Sequence, residues 1–133
     1  MNKIVLLIDS DLGFVFWLGR TLAEVGYEAF PAKSVPDAFK LLDELQLPVS
    51  LLIVRDSLPG IADLIAELRY LQNDLKVILT VEDVNTEIPR HADAQCLRPD
   101  SIDKSSKSGW MQLVQKVLYD KRLTMAAPAQ RSR

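Results

Sequence analysis

Polar groups able to do chemistry gather in four short stretches of the chain: Asp9-Ser10-Asp11, Arg55-Asp56-Ser57, Thr80 and Arg98. Each stands directly after a stretch that reads as a strand, a placement that suggests one site rather than four. Asp9 and Asp11 have the residue type for acid–base work, but no nucleophile accompanies them, and acids just after a strand more simply cap the following helix. Ser10 and Ser57 carry hydroxyls whose ordinary roles are caps and turns. After the first apolar run Ser10-Asp11-Leu12-Gly13 supplies a single glycine, which argues against a phosphate-cradling loop and so against a nucleotide-binding protein. His91 is the sole histidine and Cys96 the sole cysteine, so neither a His/Cys metal cage nor an internal disulfide is supported.

The elements that position these groups can be read from periodicity. Ile4–Ile8 and Leu51–Val54 are apolar throughout, as central parallel strands covered on both faces are. Tyr27–Phe30, Val77–Leu79 and Ala94–Leu97 read as three shorter strands. Phe14, Trp17, Leu18, Leu22 and Val25 recur at helical spacing, and Gly26 ends that helix. Ser34 caps a second helix over Val35–Leu45, with Ala38, Leu41 and Leu42 inward. A third helix spans Ile61–Leu71 with Leu64, Ile65, Leu68 and Leu71 inward. Trp110, Leu113, Val114, Val117 and Leu118 form the stripe of a last helix, after a solvated Ser/Lys-rich loop over 100–109 that holds Lys104 and Lys107. Residues 81–93 are polar with Pro89 among them, so at most one or two helical turns fit there.

Alternation of this kind predicts an α/β domain: a flavodoxin-like, doubly wound, five-stranded parallel sheet with a reduced fourth helix. Ligands of such sheets bind beyond the carboxyl ends of the strands, which is where the four polar stretches converge. Residues 1–123 make the domain and 124–133 a disordered tail.

In that order and spacing the motifs resemble the receiver domains of response regulators, from Lys3 to about Leu118. The resemblance rests on Ile8-Asp9-Ser10-Asp11, on Pro48-Val49-Ser50-Leu51-Leu52-Ile53-Val54, on Leu58-Pro59-Gly60, on Leu79-Thr80 and on Leu97-Arg98-Pro99. It implies a pair of acids that binds Mg²⁺, an Asp after the third strand that takes a phosphoryl group, and a Thr or Ser that bonds the phosphoryl oxygen. It also implies a Lys that pairs with the phosphate and an aromatic in the fifth strand that reports the event.

At most of these positions the sequence departs from the pattern. Asp9 fills the first acid position, but Ser10 replaces the second. The acceptor position, counted from Pro48 or from Pro59, falls on Arg55; Asp56 lies one residue further, on the alternate side of the strand. Thr80 is kept, Arg98 replaces the Lys, and Gln95 stands at the aromatic position. An arginine is always charged and cannot take a phosphoryl group as a carboxylate does. The expectation is therefore a degenerate receiver in phosphorelay signalling without aspartyl phosphorylation, catalysis, bound metal or cofactor. Arg55 would pair with Asp9 in place of the metal. A working receiver phosphorylated at Asp56 is the alternative.

Composition agrees with a cytoplasmic binding module. The chain has 133 residues, 48% hydrophobic and 26% charged, with a net charge of -2. Such a balance offers no general attraction to nucleic acid, and no run approaches the length of a membrane span. The expected partner is a protein: a kinase, another regulator or a second copy. Val15 and Phe16 extend the first helix's apolar surface beyond its inward stripe and are candidates for that contact.

Overall fold

Strands apolar on both sides must be covered on both sides, and this requirement organises the computed structural model. It describes residues 3–46, 48–82, 88–89, 91–97 and 104–119. The elements run β1 (Ile4–Ile8), α1 (Leu12–Glu24), β2 (Glu28–Ala32), α2 (Val35–Leu45), β3 (Leu51–Arg55), α3 (Ile61–Leu71), β4 (Lys76–Val81), β5 (Ala94–Leu97) and α4 (Lys104–Tyr119). All five strands are parallel, in the order β2-β1-β3-β4-β5. The two wholly apolar runs, β1 and β3, thus take adjacent interior places in the sheet.

Successive side chains in a strand point to opposite faces, so each strand feeds two cores. Leu6, Leu52, Val54 and Leu79 pack with Ala38 of α2 and Leu64, Ile65 and Leu68 of α3. Val5, Leu7, Ile53 and Ile78 pack with Leu18 and Leu22 of α1 and with Trp110, Val114 and Val117 of α4. The helix starts follow their caps: Asp11 accepts from the Phe14 amide at α1, and Ser34 accepts from the Asp37 amide at α2. Past the end of α1, Gly26 takes φ +97°, a left-handed conformation open to glycine.

Several expectations need correction. β2 starts one residue later and runs two further, through Pro31, which an edge strand tolerates because one of its sides has no ladder to complete. Val25 and Leu71, expected inward, are exposed, because each lies at the last turn of its helix where the sheet no longer covers it; Val15 and Thr21 are buried on α1 instead. α4 begins at Lys104, inside the stretch expected to be a loop, and Lys107 pairs with Glu24 of α1 rather than lying in a solvated linker. Lysine is a good helix former and serine a tolerable one, so a Ser/Lys-rich composition does not bar a helix. In the segment expected to hold a reduced helix, the described residues Glu82, Ile88, Pro89 and His91–Asp93 are not helical. The expected tail lies outside the described residues.

The start of β4 is tied to the start of β5 through one carboxylate. Asp93 Oδ2 accepts from the Val77 amide at 2.8 Å and from Arg69 of α3 at 3.1 Å. Asp93→Ala leaves a strand amide without its acceptor, a loss of about 1–3 kcal/mol. Asp93→Asn keeps an acceptor for that amide and should cost less. Urea unfolding of the two variants checks this, and equal losses would contradict it.

Candidate functional site

The strand register brings the expected groups together at the carboxyl edge. Ile8 pairs with Val54, so Asp9 and Arg55 are the next residues along neighbouring strands. Arg55 pairs with Thr80, and Thr80 with Cys96. By alternation this row lies on the α1/α4 face of the sheet, above Leu7, Ile53, Ile78 and Ala94. Gln95 pairs with Leu79 and belongs to the opposite face, away from the row. Arg98 lies outside the described residues.

Asp9 is only 1% exposed. Its amide donates to Ala32 O, and its Oδ1 accepts from the Asp11 amide at 2.9 Å. Asp11 turns its own carboxylate to the helix as the α1 cap, and Ser10 is exposed. Burial pushes the Asp9 carboxyl above its ordinary value of 3.8; the Asp11 amide and then the Arg55 charge pull it down without prevailing.

Arg55 closes β3 with its side chain 17% exposed. Its Nη1 lies 3.9 Å from Asp9 Oδ1, and its Nε donates to Ser57 Oγ at 3.2 Å. Its Nη2 forms an ion pair and hydrogen bond with Glu82. The sequence reading supplied Asp9 as the partner and missed Glu82. Strand alternation held the signal, since Glu82 lies two residues after Thr80 and so on the same side of β4. Glu82 is 74% exposed, and an exposed pair is worth only about 0–1 kcal/mol. Its effect is on where the guanidinium points rather than on stability.

Asp56 is exposed, and its amide is tied to Thr80 O at 3.0 Å. Thr80 is 1% exposed, and its Oγ1 has no hydrogen-bond partner among the described residues. Cys96 is half-buried, and burial raises its thiol pKa, which disfavours the reactive thiolate. His91 Nε2 is buried without a partner among the described residues.

Mg²⁺ wants several oxygen ligands in near-octahedral array. Here Asp9 already accepts a backbone amide with one oxygen, its neighbour Ser10 offers a hydroxyl and no carboxylate, and the Arg55 guanidinium lies 3.9 Å from Asp9 Oδ1. The residues present do not fit the ion. Among the described residues no three of His, Cys, Asp and Glu gather as a metal cage. None of the described helices is long and apolar enough to cross a membrane.

The candidate contact residues on α1 divide. Val15 is buried at 1% exposure, turned into the α1/α4 core beside Phe14 and Leu18, and cannot serve as surface. Phe16 is 56% exposed and lines a shallow groove of about 300 Å³ with Leu12, Pro31, Lys33 and Leu41.

No family model and no curated protein matches this chain in sequence. Many solved structures match it in fold, among them response-regulator receiver domains. The chemotaxis response regulator CheY4 of Vibrio cholerae is 16% identical with a TM-score of 0.68, over 89% of this chain and 100% of that one. A Burkholderia pseudomallei response regulator with a phosphorylated aspartic acid, calcium ion and citrate is 20% identical with a TM-score of 0.69, over 99% and 76%. The Thermotoga maritima response regulator TrrA in complex with Mg²⁺ and BeF is 24% identical with a TM-score of 0.66, over 87% and 99%. The chain has the five-stranded receiver fold, and at these identities the likeness is one of fold.

The raised Asp9 carboxyl makes a pH prediction. The fold favours the protonated form, so this contribution to stability is full below the ordinary 3.8 and is lost as pH rises through the raised value. Asp9→Asn stays neutral and can still accept from the Asp11 amide. It should therefore gain on the wild type between acid and neutral pH. Urea unfolding at both pH values measures the gap, and a gap that narrows with rising pH contradicts the reading.

Proposed function

We propose that this chain is an atypical receiver domain that acts in signal transduction by protein–protein contact, without aspartyl phosphorylation. One observation supports the reading: Arg55, where the resemblance puts the acceptor, closes β3 with its guanidinium turned toward Asp9, Ser57 and Glu82. Phosphoryl transfer in working receivers needs a carboxylate to attack and a cation to neutralise the phosphoryl oxygens. Here the attacking group is gone, and the cation is built into the chain. The partner is a kinase, another regulator or a second copy. The exposed apolar pair Leu12 and Phe16 on α1 is the surface that supports such a contact. A cytoplasmic setting without nucleic-acid or membrane binding belongs to the same reading.

Asp56 is exposed, as a rival acceptor would be, but its place one residue beyond Arg55 takes it off the row that holds Asp9 and Thr80. Incubation with a small phosphodonor in Mg²⁺ should leave the intact mass unchanged. A stable gain of one phosphoryl group, abolished by Asp56→Asn, would overturn the proposal in favour of a working receiver.

The pocket should also be recoverable. Arg55→Asp with Ser10→Asp crowds carboxylates around Asp9 and should lower the thermal midpoint without divalent metal. Mg²⁺ should then raise the midpoint of the double variant and not that of the wild type. Absence of any Mg²⁺ response in the double variant would mean that Arg55 does not occupy the metal-and-acceptor place.

A further inference from the structure

The apolar stripes of α2 and α3 run past the core that they serve. Phe39 of α2 is 37% exposed and Leu71 of α3 is 67% exposed. Together with Leu42 and Leu68 they wall a groove of about 650 Å³ between the two helices, at the amino-terminal edge of the sheet and far from Arg55. Asp43 on α2 and Glu67 on α3 set a carboxylate on each helix beside it. The groove thus asks for an apolar segment flanked by cations.

We propose that residues 120–133 of this chain are that segment, docked in the α2–α3 groove. Three observations converge on it. The first is position. α4 ends at Tyr119, whose ring centroid lies 5.7 Å from Lys3 Nζ. Lys3 leads into β1, whose Ile4 O accepts from the Ser50 amide at 2.9 Å. Pro48 and Val49, just before Ser50, line the groove. The chain therefore leaves α4 beside the strand ends that border the groove. Fourteen residues span up to about 45 Å when extended, more than a domain of this size requires.

The second is charge. Residues 120–133 hold Lys121, Arg122, Arg131 and Arg133 against the single acid Asp120, whereas the whole chain has a net charge of -2. The cations of this segment face a predominantly acidic domain, and Asp43 and Glu67 place two of its carboxylates at the groove. The α1–α2 groove by Phe16 makes no such match, since Lys33 and Lys40 line it along with Asp37 and Glu44. The third is shape. Leu123 and Met125 follow the Lys121-Arg122 pair directly, and an unbranched methionine suits an irregular apolar slot.

The test uses the full chain. A nitroxide on Ala127→Cys, in a Cys96→Ser background, should broaden the amides of Gln46, Glu67 and Gln72 by more than half of their intensity. That of Asp56, at the opposite edge of the sheet, should keep its own. Asp43→Lys with Glu67→Lys should abolish the effect, and adding Lys121→Glu with Arg122→Glu should restore it. Should Cys96→Ser disturb the fold, Lys121→Glu with Arg122→Glu alone, unlabelled, should shift the same groove amides from their wild-type positions. Groove amides that do not respond overturn the proposal. So does broadening that fades when labelled chain is diluted tenfold with unlabelled chain, because it assigns the groove to a second copy.

Discussion

A permanent positive charge at the end of an interior strand constrains everything around it. β3 is buried from Leu51 to Val54 and ends in Arg55, whose guanidinium does not lose its proton. The fold answers from both neighbouring strands, with Asp9 after β1 and Glu82 after β4, and with Ser57 on the loop that follows Arg55. The acidity that this edge could offer a metal ion is thereby spent on a cation of the chain itself. Asp9, buried and held by the Asp11 amide, is the fixed member of the group. Glu82, largely exposed, is the adjustable one.

This arrangement separates fold from chemistry. The sheet order and the two-sided core are those of receiver domains, and they depend on apolar runs that the site residues do not disturb. Changing the end residue of β3 from an acid to an arginine costs the core little, because the guanidinium emerges where the strand meets solvent. Scaffold and side-chain row are thus set by different residues, and the topology alone does not fix the function.

Much of the architecture was legible in the sequence where local chemistry sets it. α2 and α3 have the expected bounds because Ser34 and the Pro59-Gly60 turn start them and because their stripes are regular. β1 and β3 were legible as apolar runs of strand length, and β5 as a short weak strand. What periodicity cannot say is where the cover ends: Val25 and Leu71 continue their stripes and stay exposed, while Val15 is buried in the core that α1 shares with α4. Composition misled at α4, where a Ser/Lys-rich stretch is helical. At the site, Asp9, Arg55 and Thr80 were legible because each follows a strand. Alternation along β4 puts Glu82 on the side of Thr80, but its meeting with Arg55 joins residues 27 apart across a register that the sequence does not state.

The central claim is that Arg55 acts as the resident cation of the Asp9 pocket. Its most direct test is the carboxyl titration of Asp9 by carbon NMR in the wild type and in Arg55→Gln. Loss of a nearby positive charge disfavours the carboxylate, so the Asp9 pKa should move further above the ordinary value in the variant. An unchanged Asp9 titration would show that the guanidinium does not act on the pocket and would contradict the account.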